Sequence, residues 1–241
     1  MGNLVASAEI SEIFSSLQGE GPYLGKHQVF VRFGRCNMHC GYCDETDKMK
    51  PGPGGYRDWA LDSVMDEICR LESVRGPHHS VSLTGGEPLV YSDFLSVFLP
   101  ELKTLGLKTY LETNGTLPRA LRKVIEWTDV VAMDIKPPTS TGDREFWDEH
   151  REFLRLARTR DVFVKVVVTP GTSRADIAAA VDIAADVDPN VPFIFQPETE
   201  LSGGISLKAL KKIEEEFMPH ATARLKDVRV IPQMHKIWGV Q

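Results

Sequence analysis

At 241 residues the chain is long enough for one full-sized core, and 42% hydrophobic with 26% charged residues is the balance of a globular protein rather than a disordered one. A formal net charge of −6 leaves no basic stripe to neutralise phosphates, so nucleic acid is set aside as a partner and a small molecule becomes the default substrate. No apolar run approaches the ~18 residues of a membrane span, and four cysteines, three of them clustered, suit a reducing compartment.

Residues 1–8 carry neither the basic start nor the apolar core of a signal peptide, and a myristoylation signal would need Ser or Thr where Ala6 stands, so a cytoplasmic location is expected. Ala8 to Phe14 predicts a short strand, followed by a loop with two glycines and a proline, Ser15 to Pro22. Gly21 to Lys26 imitates a phosphate loop, but the spacing is one residue short and His27 replaces the Ser or Thr. On this loop alone Gln18 and Glu20 read as a solvated turn.

Gln28 to Phe33 alternates as a strand. If that strand is central and parallel, both faces are covered, and Arg32 needs an anion: a ligand carboxylate or a structural acidic partner. Directly after it comes Cys36-Asn37-Met38-His39-Cys40-Gly41-Tyr42-Cys43, a C-x3-C-x2-C run. Three thiolates on one loop can hold three irons of a four-iron four-sulfur cluster (4Fe-4S) and leave the fourth iron open to chemistry. A Cys3His zinc site closed by His39 is the alternative, and it strains a loop in which His39 adjoins Cys40.

A Pro/Gly-rich connector over Lys48 to Tyr56 leads to a helix marked by Leu61, Val64, Ile68 and Leu71, with Cys69 upon it as a small hydrophobe. Strands are then predicted at Ser80 to Thr84, Leu107 to Glu112, Val130 to Ile135, Val162 to Val168 and Pro192 to Gln196. Helices are predicted around Phe94 to Thr104, Leu117 to Glu126, Arg144 to Arg158, Arg174 to Val187 and Leu207 to Phe217. Counting Gln28 to Phe33, these are six βα units, an α/β fold with a parallel sheet and outer helices over one domain, residues 1–241.

Arg32, Thr84, Glu112, Asp134, Lys136 and Gln196 all fall at or just past the C-terminal ends of these strands, where the loops of a parallel barrel converge on ligands. Gly85 and Gly86 would let backbone approach a ligand closely, or form an ordinary turn. Asp134 and Lys136 share a face by strand period, and Lys165 among valines is a buried cation or one that snorkels to solvent. The tail from Val228 to Gln241 is apolar for a terminus and is expected to dock on the body, with His235 more often structural than catalytic in such a place.

The three-cysteine spacing, with Thr84-Gly85-Gly86-Glu87-Pro88 about forty residues on, resembles the radical S-adenosylmethionine (SAM) superfamily. Ser16-Leu17-Gln18-Gly19-Glu20-Gly21, Phe30-Val31-Arg32-Phe33, Cys43-Asp44, Glu112-Thr113-Asn114-Gly115 and Gln233-Met234-His235-Lys236 through Gly239-Val240 resemble one family within it, the 7-carboxy-7-deazaguanine synthases of queuosine and related deazapurine biosynthesis. The resemblance runs the length of the chain and implies a partial (βα)6 TIM-like barrel holding a 4Fe-4S cluster on Cys36, Cys40 and Cys43. It also implies ring contraction of 6-carboxy-5,6,7,8-tetrahydropterin through a SAM-derived radical, with loss of ammonia and return of the hydrogen atom to regenerate SAM. By the same resemblance Leu17, Gln18, Gly19, Glu20, Arg32, Thr84, His235 and the terminal carboxylate of Gln241 meet the pterin. Tyr42, Asp44, Gly86, Glu87, Glu112, Asp134, Lys136 and Gln196 meet SAM.

One departure concerns Mg2+. Family members generally carry Thr or Ser directly after Cys-Asp as a magnesium ligand, whereas here Glu45 stands there with Thr46 following. The resemblance further implies a homodimer and an electron donor such as flavodoxin. A glycyl-radical-enzyme activase, sharing the cysteine spacing and Gly-Gly-Glu-Pro, is the alternative enzyme, and a non-enzymatic metal-binding module is the alternative of another class.

Overall fold

The computed structural model describes residues 7–44, 46–200 and 204–240. Glu45 and Gln241 therefore lie outside the described residues. Among the described residues the scaffold is a mixed sheet of nine strands: β1 (Ser7–Leu17), β2 (His27–Phe33), β3 (Arg57–Ala60), β4 (Ser80–Gly85), β5 (Thr109–Thr113), β6 (Val130–Ile135), β7 (Asp161–Val168), β8 (Phe193–Pro197) and β9 (Val228–Val230), in spatial order β3-β1-β2-β4-β5-β6-β7-β8-β9. From β2 to β9 all neighbours are parallel; β1 joins β2 and β3 antiparallel. This is the α/β, mostly parallel architecture expected, with the strand expected over Ala8 to Phe14 joined to it as β1 and two further strands, β3 and β9, whose signals are weak. β9 has three residues and β3 four, too few for a period to stand out, and β1 runs past Phe14 to Leu17 as a hairpin with β2.

Helices α1 (Leu61–Arg75), α2 (Ser92–Thr104), α3 (Pro118–Val124), α4 (Pro138–Thr141), α5 (Trp147–Ala157), α6 (Arg174–Val187), α7 (Leu207–Lys212), α8 (Met218–Arg224) and α9 (Met234–Trp238) complete the chain. α6 begins where Ser173 Oγ accepts the Asp176 N–H at 3.1 Å, a side-chain cap on an orphan donor. The single helix expected over Leu207 to Phe217 is instead α7, a π turn at Ile213–Phe217 and α8, which tolerates Pro219 in its first turn. Among the described residues no helix is long and apolar enough to cross a membrane.

Period-two alternation divides every central strand between two environments. Val31 and Phe33, Leu83, Leu111, Val131 and Met133, Val164 and Val166, and Phe193 and Phe195 face the helices and form the main core. The opposite faces carry a smaller cluster, Tyr110, Val130, Ala132, Phe163 and Ile194, and above it the polar residues of the strand ends. β1 obeys the same division only because of a register shift between Ile10 and Glu12: Ile10 opposes Phe33 on the helix side, and Glu12 opposes Arg32 on the inner side. The extra residue, Ser11, donates its hydroxyl to Arg32 O at 3.1 Å. Without that bulge Glu12 would sit on the apolar face with Ile10.

Candidate active site

The inner residues at the carboxyl ends of the parallel strands line one cavity: Arg32 from β2, Thr84 from β4, Glu112 from β5, Asp134 from β6 with Lys136 just beyond, Lys165 from β7 and Gln196 from β8. Loops at the strand ends and the terminal segment close around this rim, and their glycines and hydrogen bonds fix how.

The β1–β2 loop is folded back by Gln18 N–H to Lys26 O and Gly25 N–H to Gln18 O, both 2.8 Å. The Gln18 side chain, 2% exposed, accepts the Glu20 N–H at 3.0 Å and donates to Gln28 Oε1 at 3.0 Å and Glu112 Oε1 at 2.9 Å. Glu112 also accepts from Ser82 at 3.1 Å and from Thr84 Oγ1 at 2.6 Å. Gln18, Thr84 and Glu112 thus form one polar wall, so Glu112 lies with residues assigned to the pterin as well as with the SAM set. Gln18 is therefore not the solvated turn its loop composition suggests.

Glu20 accepts from Lys165 Nζ in a very short contact, from Gln233 Nε2 at 3.0 Å and from Gln196 Nε2 at 3.4 Å. Burial alone would raise its carboxyl; Lys165, then His235 and Gln233, hold it down at about 2. On the far side of Lys165 is Asp134 Oδ2 at 3.5 Å, which also receives Lys136 Nζ at 2.8 Å, and Lys136 reaches Tyr42 OH at 3.1 Å. Despite burial, Asp134 holds the Lys136 ammonium above its ordinary range. Asp134 Oδ1 and Gln196 Oε1 are buried polar atoms without a protein partner, both on residues lining this cavity.

Arg32 Nε donates to Glu12 Oε1 at 2.8 Å, and Lys48 Nζ bonds Glu12 Oε2 at 3.0 Å. The acidic partner for Arg32 thus comes from inside the protein, while its guanidinium still lines the cavity, 5.7 Å above the Phe14 ring that stacks on Phe30.

Cys36, Cys40 and Cys43 are half-buried and line the same cavity, as do Tyr42 and Asp44. Their loop is held by Cys43 N–H to Cys40 O at 3.0 Å, Gly41 N–H to Thr141 O at 2.8 Å and Glu87 N–H to Arg35 O at 2.7 Å. Burial pushes the Cys36 thiol up to about 11 and raises Cys40, against the pull of nearby Lys136. Thiolates there need added positive charge, which a bound iron–sulfur cluster provides. Among the described residues no group of three or more His, Cys, Asp or Glu side chains is drawn together closely enough to hold a single metal ion.

The Gly-Gly-Glu-Pro turn is built differently from expectation. A Cβ on Gly86 would lie 2.1 Å from Arg35 O and 3.0 Å from Cys36 N, so that glycine is demanded by close packing on the cysteine loop. Gly85 has φ +114 and Gly86 does line the cavity. Glu87 does not. It is fully buried, caps Leu89 N–H at 3.0 Å, and accepts Thr113 Oγ1 at 2.8 Å and Asn114 N–H at 2.7 Å, joining this turn to the Glu112–Gly115 loop. Burial pushes its carboxyl up to about 7 against these donors. Thr46 is exposed and outside the cavity wall.

The terminal helix α9 covers the β1–β2 loop. Met234 N–H donates to Gly19 O at 2.9 Å, His235 packs against Gly19, and Lys236 pairs with Asp44. Leu17, Gly19 and His235 all line the cavity. Four contributors escaped the sequence reading of the site: Lys165, noted only as an odd cation; Gln233 and Lys236, whose partners are remote in sequence; and Asn114, whose Nδ2 donates to Asn37 Oδ1 at 2.8 Å and lies 4.0 Å from Cys36 Sγ. His150 acts from behind: fully buried and lowered to about 4 by that burial, it accepts the Lys136 N–H at 3.1 Å on Nε2, leaving Nδ1–H to donate to Gly115 O at 3.2 Å.

Comparison with known proteins places this geometry. The Radical SAM superfamily model matches residues 30–184. A 7-carboxy-7-deazaguanine synthase of Geobacter sulfurreducens is 39% identical over 246 residues, covering 96% of this chain and 97% of the relative, and one of Methanothermobacter thermautotrophicus is 31% identical over 99% of this chain and all of the relative (100%). Among solved structures, QueE from Escherichia coli superposes with a TM-score of 0.64 at 20% identity over 95% of both chains. SuiB from Streptococcus suis, bound to S-adenosylmethionine, does so with 0.54 at 19% over 82% of this chain and 45% of that one. These likenesses establish the fold.

Proposed function

The chain belongs to the 7-carboxy-7-deazaguanine synthase family of the radical SAM superfamily, and on that premise we propose that it converts 6-carboxy-5,6,7,8-tetrahydropterin to 7-carboxy-7-deazaguanine and ammonia. The observation that carries this reading is a single cavity in which three thiols, two unpartnered buried oxygens and the Gln18–Glu20 loop face one another beneath α9. A 4Fe-4S cluster on Cys36, Cys40 and Cys43 with SAM beside it would supply hydrogen-atom abstraction at the start and its return at the end. Substrate and products differ only by ammonia, so no net oxidant or reductant is consumed.

The protein's part is binding, orientation and exclusion of water. Asp134 Oδ1 and Gln196 Oε1 offer acceptors to SAM, with Gly86, Tyr42, Asp44 and Lys136 around it. Arg32 offers its guanidinium to the substrate carboxylate while its Nε stays on Glu12, and Lys48 on the other oxygen of Glu12 supplies the further positive charge. Gln18, Thr84 and Glu112 form a hydrogen-bonding wall, Glu20 accepts N–H groups of the pterin, and Gly19 with His235 closes the mouth. Mg2+ belongs to this reading on the donor chemistry of Glu45 and Thr46 alone. The terminal carboxylate of Gln241, a homodimer and a flavodoxin-type electron donor belong to it by family resemblance, and a cytoplasmic location and a single domain by the composition of the sequence.

The test is product analysis after anaerobic cluster reconstitution with SAM, a strong reductant, Mg2+ and the pterin. Formation of 7-carboxy-7-deazaguanine without stoichiometric loss of SAM is expected. SAM cleavage without that product would refute the assigned substrate.

A further inference from the structure

A continuous chain of charged and polar groups crosses the cavity from the β1–β2 loop to the cysteine loop: Glu20, Lys165, Asp134, Lys136 and Tyr42. We infer that Lys165 is a positioning residue that couples occupancy of the pterin half of the cavity to the SAM half, a role that rests on the function proposed above. β7 places Lys165 in register beside Asp134 of β6, with both side chains on the inner face. Its side chain is 15% exposed, and those of the two acids it touches, Glu20 and Asp134, are 18% and 11% exposed. Ions so placed need their counter-ions, because an uncompensated charge in a poorly hydrated site is costly.

The two contacts are unequal. Lys165 is drawn tightly to Glu20 and stands 3.5 Å from Asp134, beyond ordinary hydrogen-bond length. Lys136 holds the same Asp134 oxygen at 2.8 Å, leaving Oδ1 as the oxygen without a partner. A ligand whose N–H groups engage Glu20 competes with Lys165 for that carboxylate and frees the ammonium to close on Asp134. The shift changes the electrostatic field around, and the orientation of, the group that offers Oδ1 to the other half of the cavity. Neither Lys136 nor Tyr42 can do this alone, since neither reaches the β1–β2 loop in this chain of contacts.

Coupling of this kind is reciprocal and is read as a ratio. The experiment measures 5′-deoxyadenosine released per 7-carboxy-7-deazaguanine formed, beside the equilibrium affinity for SAM, in the reconstituted holoenzyme and in Lys165→Met and Lys165→Arg. Lys165→Met should raise abortive 5′-deoxyadenosine per product by about tenfold or more, within the range expected of a coupling element, while SAM affinity changes by less than about threefold. Lys165→Arg, able to bridge two carboxylates, should recover most of the wild-type ratio. If Lys165→Met does not fold, Lys165→Gln, which keeps a polar side chain without the charge, carries the same expectation of uncoupling.

An unchanged ratio in a folded variant, whatever its rate, would overturn the inference, as would a loss of SAM affinity as large as the loss of product. The wild-type arm separates the two levels. Absence of product there refutes the assigned reaction, whereas product with an unaltered ratio in the variants refutes only the role of Lys165.

Discussion

Gly19→Ala isolates the contact between the β1–β2 loop and the terminal helix. Gly19 has no positive φ, so alanine meets no backbone strain there. The obstacle is steric: a Cβ would lie 2.3 Å from His235 Nδ1, 2.6 Å from its Cβ and 2.7 Å from its Cγ. Comfortable carbon contacts begin at about 3.5 Å, so His235 must withdraw by about 1 Å. α9 has five residues and no stability of its own, being held by Met234 N–H on Gly19 O and by Gln233 between Thr199 and Glu20. Overpacking costs about 1–3 kcal/mol and a lost hydrogen bond about 1 kcal/mol. Concentrated in so short a segment, a penalty of about 2 kcal/mol raises its undocked fraction about thirtyfold.

The assay is hydrogen exchange over residues 234–240 together with the pterin KM. Exchange should accelerate and KM rise by about tenfold or more, while the global unfolding midpoint moves little, because the penalty falls on a locally opening segment. Unchanged exchange and unchanged KM would refute the reasoning, since the ring contact would then be dispensable to docking and docking to substrate binding.

Replacing Cys36, Cys40 or Cys43 by Ala should abolish iron retention and SAM cleavage, measured by iron and sulfide analysis and 5′-deoxyadenosine release; an intact cluster with cleavage retained would remove that residue from the ligand set. Arg32→Met should weaken pterin binding by roughly 1.5–3 kcal/mol, the range for a charge-assisted hydrogen bond, while pterin-independent SAM cleavage persists; unchanged pterin affinity in a titration would exclude the carboxylate role. For Glu87 the folded value of about 7 lies above the ordinary glutamate value of 4.5, so the folded state holds the proton more tightly. Its stabilising contribution is complete below about 4.5 and is lost as pH rises through about 7, by up to about 3 kcal/mol. The stability margin of wild type over Glu87→Gln, from urea melts, should accordingly shrink between pH 5 and 8; a constant margin would show that the N–H donors offset burial.

What was legible in the chain follows from distance along it. The cysteine run and the polar rim were readable because each depends on a local period: thiols on one loop, and inner-facing side chains at successive strand ends, as with Thr84, Glu112 and Asp134. Lys165 obeys the same period, but a lone cation among valines has no local feature to choose between solvent and a buried partner. That choice was made by Glu20, 145 positions away. The Ser11 bulge was equally silent, although it alone turns Glu12 toward Arg32, because the residue that shifts the register carries no composition signal. Gly86 shows how a correct choice of residue can rest on a different cause: the motif suggested room for a ligand, and the structure spends that room on the carbonyl of Arg35. The Gly-Gly-Glu-Pro turn therefore acts on the cavity from both sides of its backbone. Gly86 fits the turn against the loop that carries the cysteines, and Glu87 ties it to Asn114, so a change in either should be felt at Cys36 before any bound ligand is touched.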